Sequence, residues 1–416
     1  MNGVTRRWIA IGVVLVAVGR LPSDAAAQTT GSAIEALVAR ALAEAPALEA
    51  ARAQVRVAEG QRQQAALRPN PIAAVDRRER FGGLDNQTVI GLTVPLDLFR
   101  KDVRVALADE RVTRSNWMVE EASLTRAQKV RGRAAAVLAA RRQLDVATRI
   151  AQVARSRFEL LVARAESGAG RPLDRDLADV EWRRADVERV QWAAQVTMAE
   201  AELQAVVGSV LDAGRALPLS LEEEVALTAV AVSPGGGVDG RPDLRALMAE
   251  EAMAEAAREL AVSEGRWNLA VSAAYMRRTV SMAGGREGMN EAMVGVMVDL
   301  PWRNRRQGEV AAAEATRQSV AADLAQRRLD ATAEVDVARA REHSAAEIVA
   351  RYQDGWVALA QRNLDVVSEA WTLGEATLFD VIDEERRFLA LQADYTMAMR
   401  ELIDARAELR RVLGVR

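Results

Sequence analysis

Glu202-Leu203-Gln204-Ala205-Val206-Val207-Gly208 returns near the end of the chain as Glu408-Leu409-Arg410-Arg411-Val412-Leu413-Gly414, and this echo decides the fold. Gly168 and Asp174 correspond to Gly374 and Asp380 at the same separation. Further upstream, Gly91-Leu92-Thr93-Val94 corresponds to Gly295-Val296-Met297-Val298, and Pro46-Ala47-Leu48 to Pro242-Asp243-Leu244, with the separation drifting by a few positions. Four landmarks kept in order, with small insertions between them, mark two copies of one segment rather than chance likeness between alanine-rich stretches. Residues 28–208 form the first repeat, 209–240 a linker and 241–416 the second.

Each repeat reads as helix, two strands, a long helix and a returning helix. None of the ten prolines lies between Leu96 and Arg171 or after Pro301. A proline in a helix interior costs about 3 kcal/mol, so these silent stretches are free to run as single helices. They extend over 100–166 and 307–373, each about 100 Å long at about 1.5 Å per residue. Glycine turns follow, and the return helices occupy 172–208 and 377–414. Val137, Ala140, Leu144, Ala147, Ala151, Ala154, Phe158 and Leu161 are spaced by threes and fours, as are Phe388, Leu391, Tyr395, Ala398, Leu402, Ala405, Leu409 and Val412. Such seams predict antiparallel helical hairpins with coiled-coil packing. The composition agrees, with 50% hydrophobic residues, only 4% aromatic and 28% charged.

Ahead of each long helix the period changes from helical to two. Ile90, Leu92, Val94 and Leu96 share one face of a strand, and Val294, Val296, Val298 and Leu300 share one face of its counterpart. A partner strand precedes each, so the strands fall at about 70–98 and 268–301, with Gly82-Gly83 and Gly284-Gly285 in the hairpin turns. Strands of about ten residues suit either the edge of a soluble sandwich or a tilted passage through an outer membrane. In lipid, four strands leave unsatisfied edges and cannot close alone, so a membrane role requires several chains to share one barrel.

The N-terminus carries Arg6 and Arg7, an apolar run from Trp8 to Val18, and Ala25-Ala26-Ala27. That order describes a secretory signal peptide over residues 1–27, with an apolar run too short to span a bilayer. Zero cysteines exclude a disulfide scaffold, thiolate metal ligands and lipidation of an N-terminal cysteine. A single histidine, His343, excludes a multi-histidine metal centre, and no constellation of an enzyme is present. A net charge of -3 leaves no basic excess for nucleic acid. No cofactor or resident metal is expected.

The whole order of elements resembles the TolC-type outer membrane efflux proteins. The resemblance is carried most specifically by Leu67-Arg68-Pro69-Asn70-Pro71 entering the first strand and Val94-Pro95-Leu96-Asp97-Leu98-Phe99 leaving the second. It is carried equally by Val298-Asp299-Leu300-Pro301-Trp302-Arg303-Asn304-Arg305-Arg306-Gln307-Gly308-Glu309 and by Leu373-Gly374-Glu375-Ala376-Thr377-Leu378-Phe379-Asp380-Val381-Ile382-Asp383. These are most similar to the heavy-metal branch. The resemblance implies a mainly α fold with a small membrane β portion: a homotrimer whose twelve-stranded barrel continues into an α-helical coiled-coil tunnel in the periplasm. It implies a passive duct working with a periplasmic membrane-fusion adaptor and an inner-membrane pump of the resistance-nodulation-division cation type. A duct for drugs or polypeptides, a periplasmic adaptor and a coiled-coil structural protein are the alternatives.

On this reading the tips that meet the adaptor are Gly168, Gly170 and Arg171 in the first repeat and Leu373, Gly374, Glu375, Ala376 and Thr377 in the second; Pro172 departs from the family pattern. Position in the family turn makes Asp380 and Asp383 a periplasmic gate. Their spacing alone also suits a solvated helix face with Asp383 paired to Arg387. Met282, Met289, Met293 and Met297 read as lipid-facing or packing side chains.

Overall fold

Each return helix ends on a left-handed glycine lying against the proline that opens its own repeat. Gly208 has φ +87, and a Cβ there would approach the Pro46 ring to 3.1 Å; Gly414 has φ +70, with the Pro242 ring at 3.5 Å from the same imagined atom. The landmarks that revealed the duplication thus meet as equivalent corners, where only a glycine combines the positive φ with the close approach. The computed structural model describes residues 32–79, 85–169, 171–209, 217–228, 238–282 and 285–415. The segment read as a signal peptide, the first glycine hairpin turn, Gly284 of the second, the tip residue Gly170 and much of the linker lie outside the described residues; Gly285, expected in the second turn, already opens a strand.

The first repeat comprises α1 (Ala33–Glu44), α2 (Pro46–Ala66), β1 (Ile72–Glu79), β2 (Asn86–Pro95), α3 (Lys101–Glu166) and α4 (Pro172–Val207). A short helix, α5 (Leu221–Leu227), stands in the linker. The second repeat comprises α6 (Pro242–Glu264), β3 (Asn268–Met282), β4 (Gly285–Asp299), α7 (Gln307–Arg351), α8 (Val357–Leu373) and α9 (Leu378–Val412). Three features depart from the sequence expectation. The single opening helix of the first repeat is two helices, because Ala45 is extended (ψ 123) ahead of Pro46, which has no N–H to continue a helix. Strands β3 and β4 run to 15 residues each, well past the apolar alternation.

The third departure is a break in the second long helix. Between α7 and α8, Tyr352–Trp356 forms a five-residue π-type turn with Gly355 at φ +89. Helix α3 has no such break, although the stretch from Lys101 to Gly168 is as long as that from Gln307 to Gly374. Asp354 (ψ 42) and Gly355 leave helical backbone there, a kink that the left-handed freedom of glycine permits. The rings of Tyr352 and Trp356 stack across the turn at 5.0 Å, and Tyr395 of α9 lies 5.5 Å from Tyr352.

The main core lies at mid-length of the helices. It gathers Ile34, Leu37 and Ala41 of α1, Val130, Ala134 and Val137 of α3, Leu203 and Val207 of α4, Leu221 and Val225 of α5, and Met399, Leu402 and Ile403 of α9. Both seams read from the sequence face inward: Val137, Ala147, Ala151, Ala154 and Leu161, like Phe388, Tyr395, Leu402, Leu409 and Val412, are buried.

The linker is more than a tether. Ser220 and Glu223 close a reciprocal cap on α5. Within α5, Glu224 is fully buried and turns its carboxylate onto the N-terminus of α1, accepting from Ser32 Oγ at 2.6 Å, Ala33 N at 2.7 Å and Ile34 N at 3.4 Å. A carboxylate there satisfies N–H groups that a helix start cannot pair by itself and faces the positive end of the helix dipole. Glu224→Ala should cost about 2–3 kcal/mol by leaving buried donors unpaired. Thermal melting of the detergent-solubilised protein should fall accordingly, whereas loss of the exposed Glu223 cap should cost only about 1 kcal/mol.

Candidate functional site

The four strands form one antiparallel sheet in the order β1-β2-β3-β4, so the two repeats are joined edge to edge by β2 and β3. The register aligns the apolar faces of both copies. Val75, Ile90, Tyr275 and Ala292 stand in one row, Ala73, Leu92, Ala273 and Val294 in the next, and Val94, Val271 and Val296 in a third. Ile90, Leu92, Val94, Val294, Val296 and Val298 are all exposed, Val294 at 82%. Leu96 and Leu300 fall one residue past their strands; Leu300 is exposed and Leu96 half-buried, its N–H donating to Leu269 O at 2.8 Å.

The opposite face mixes small and polar residues with Ile72, Val89 and methionines. Thr93, Ser272 and Gly295 form one row there, Asp76, Val89, Met276 and Glu291 another. Val89, Gly91, Thr93, Ser272, Ala274 and Met276 are half-buried where their outward neighbours are exposed, as befits the inside of a curled sheet. Met289, Met293 and Met297 belong to this face, not to the apolar one. The sequence suggested lipid-facing or packing methionines; the register sets them one position off the apolar rows and so on the other side. The side chain of Met282 lies outside the described residues.

About 100 Å away along α3, the two turns sit side by side. Both end a helix in the same way: Gly168 (φ +74) and Gly374 (φ +83) adopt left-handed backbone, and the next N–H groups, of Ala169 and Glu375, donate back to Arg164 O at 3.0 Å and Ala370 O at 2.9 Å. Neither glycine has another atom within 4 Å of where a Cβ would lie, so conformation rather than space requires it. Arg171 and Leu373 are exposed, and Thr377 caps α9.

The expected gate residues are occupied locally. Asp380 accepts from Thr377 N at 2.8 Å and from Thr377 Oγ1 at 2.6 Å, and its own N–H donates to Thr377 Oγ1 at 3.2 Å. The Thr377 hydroxyl, and then its N–H, hold the Asp380 carboxyl below the usual carboxylate range. Asp383 lies 2.7 Å from Arg387 one turn on. Sequence reasoning missed the contacts that join the two hairpins just above the turns. Arg157 of α3 donates to both carboxylate oxygens of Glu385 of α9 at 3.0 and 2.9 Å, with both side chains nearly buried. Trp371 lies 5.8 Å from each of Arg157 and Arg164, and Arg386 pairs with Glu181 at 2.6 Å. No local pattern announces a pair separated by more than half the chain.

Elsewhere, a cavity of about 700 Å³ between α3, α7 and α9 is bounded by Lys129, Arg133, Arg341, Arg400 and Glu401. Burial there pushes the Asp404 carboxyl up to about 6 against the pull of Arg400. Among the described residues no three histidine or carboxylate side chains gather as a metal site, and no helix is long and apolar enough to cross a membrane.

A family model described as "Outer membrane efflux protein" matches residues 37–209 and 238–415. The chain belongs to that family. No curated protein sequence matches it significantly. Among solved structures, CusC, described for transmembrane channel formation, is 16% identical with a TM-score of 0.75, covering 92% of each chain. The outer membrane protein VceC of Vibrio cholerae is 18% identical with a TM-score of 0.71, covering 92% of this chain and 96% of the other. The open state of the MtrE outer membrane channel of Neisseria gonorrhoeae is 17% identical with a TM-score of 0.74, covering 92% and 89%. At such identities the likeness is one of fold. The family and these structures are channels rather than enzymes, adaptors or fibrous proteins.

Removing either member of the buried Arg157–Glu385 pair should destabilise the region above the two turns by about 3–5 kcal/mol, because the other charge is left unpaired. Arg157→Leu with Glu385→Leu together should cost less than either change alone. Hydrogen exchange across residues 155–166 and 378–390 would read the difference; additive losses would deny the coupling.

Proposed function

We propose that three copies of this chain close a twelve-stranded barrel in the outer membrane and form a passive efflux duct whose helical hairpins hang into the periplasm. The observation that carries this is a four-stranded sheet with one continuous apolar face and two open edges, β1 and β4. An edge left open in hydrocarbon would strand its backbone groups, and closure with further copies removes it. The helices support the same assembly. Leu173, Leu177, Val180 and Val187 of α4 repeat at helical spacing and are exposed, as are Leu359, Val366 and Leu373 of α8. Uncovered seams on two helices of one chain suit the neighbours of a closed ring.

In this reading the turns at Gly168 and Gly374 meet a periplasmic adaptor, and an inner-membrane pump supplies the energy. Export of heavy-metal cations by a resistance-nodulation-division type pump rests on the resemblance of the junction and tip motifs to that branch. Residues 1–27 serve as the export signal, and anchoring rests on the barrel without a lipidated cysteine.

Leu92→Arg or Val294→Arg, on the mid-strand apolar row, should impair membrane assembly, since a lipid-facing charge near the midplane costs about 2–4 kcal/mol. Carbonate-resistant trimer yield measures this, and wild-type yield of both variants would mean that the apolar face does not meet lipid. The proposed gate makes a separate forecast. Asp380→Asn with Asp383→Asn should reduce cation preference and block by multivalent cations in planar bilayers at low salt. Asp383→Asn alone, which leaves the Thr377 cap intact, should show part of the effect. Unaltered recordings would leave both carboxylates as a cap and a surface ion pair.

A further inference from the structure

The corner where α6 turns into β3 carries charges that the duct itself does not use. Gly265 lies against the carbonyl of Arg305, on the loop leading from β4 to α7, so closely that any Cβ would collide with it. The contact brings Arg266 and Arg305 to one place. Arg100 holds the corner together, its Nη2 donating to Glu264 O at 3.3 Å and Arg266 O at 3.4 Å, carbonyls that the end of α6 leaves unpaired. Arg306 is neutralised there by Glu264 at 3.4 Å and Glu309 at 2.6 Å. Arg266, Arg303 and Arg305 are different: all three are exposed, and none has an ion-pair partner among the described residues.

Aromatic rings flank these guanidinium groups. Phe99 packs edge-on against Trp267 at 5.2 Å, Trp267 is 43% exposed and Trp302 is 83% exposed. Both indoles stand at the helix-side end of the apolar rows, just outside β3 and β4. The first repeat builds a like corner. Arg104 Nη2 donates to Ala65 O at 3.4 Å and Leu67 O at 3.2 Å, beside an exposed and ion-unpaired Arg68.

We propose that the Gly265 corner binds the headgroups of anionic phospholipids in the periplasmic leaflet, with Arg266, Arg303 and Arg305 taking the phosphate oxygens and Trp267 and Trp302 lying at the glycerol level. This rests on the membrane reading above. Guanidinium forks match phosphate oxygens, and exposed indoles favour the boundary between hydrocarbon and headgroup. Charge complementarity selects an anionic over a zwitterionic lipid, by a factor of roughly fivefold for each basic residue near the surface. With Arg266, Arg303 and Arg305 left unpaired beside the proposed hydrocarbon band, the corner attracts the anionic lipid.

The test uses the full chain reconstituted in phosphatidylcholine vesicles containing a fixed fraction of brominated phosphatidylglycerol or brominated phosphatidylcholine. Bromine quenches nearby indoles, so Trp267 and Trp302 report which lipid surrounds them. At low salt the brominated phosphatidylglycerol should quench several-fold more effectively, and Arg266→Gln with Arg303→Gln and Arg305→Gln should bring the ratio close to one. Arg78→Gln, at the far end of the strands, should leave the preference unchanged. Equal quenching of wild-type protein by both lipids would overturn the proposal while leaving the barrel in the membrane. A preference that survives the triple substitution would overturn the assignment to this corner. Quenching by neither lipid would overturn the membrane reading and the proposal with it.

Discussion

The pairing of β2 with β3 is the contact on which the remaining architecture depends. It is the ladder that joins the two repeats, from Asn86 opposite Thr279 to Pro95 opposite Ala270. Because the strands are antiparallel and the register is whole, the apolar rows of both copies fall on one face and the mixed rows on the other. A slip of one residue would turn one copy's apolar face to the inside. Helix positions follow from the same register, since α2, α3, α6 and α7 all leave the sheet at its helix-side end. Arg100, just ahead of α3, and Arg104, in its first turn, then bind the ends of α6 and α2 through their carbonyls.

Duplication explains how so long a chain specifies its fold with so few kinds of contact. The same glycine–proline corner closes each repeat, and the same left-handed glycine ends each long helix at the tip. Where the copies differ, the difference has a local cause. The second long helix is interrupted at Tyr352–Trp356, where Gly355 takes a left-handed φ, beside the aromatic contacts with Tyr395. Stability is placed unevenly as a result: the mid-length core draws on six elements, whereas α8 below the turn buries only Leu364. A segment held by so few buried contacts is where motion is least costly.

Asp380 illustrates how one residue serves two physical demands. As the third residue of α9 it satisfies the N–H and hydroxyl of Thr377, and the resulting hydrogen bonds keep it ionised. A carboxylate that is structurally committed still presents its charge to solvent. The cap therefore does not compete with a role in an aperture; it holds the charge in place. Asp383 differs, because its partner Arg387 is exposed and the pair is weakly held in water.

The amino-acid sequence by itself determined the duplication, the unbroken first long helix, the inward seams, the turns at Gly168 and Gly374 and the apolar alternation of β2 and β4, but not the break at Tyr352–Trp356 in the second long helix. Each of these is local or periodic: proline and glycine act on their own backbone, and spacing of apolar residues marks a face without reference to any partner. Membership of the channel family was legible for the same reason, through short motifs at the junctions and the second tip. Only the tertiary structure decided what meets across large separations. It paired Arg157 with Glu385, set Glu224 on the start of α1, placed the methionines of β4 opposite the apolar face and brought Arg266 to Arg305 around Gly265. Such contacts depend on how whole elements are laid side by side, and a charged side chain looks the same in sequence whether its partner is water or a residue two hundred positions away.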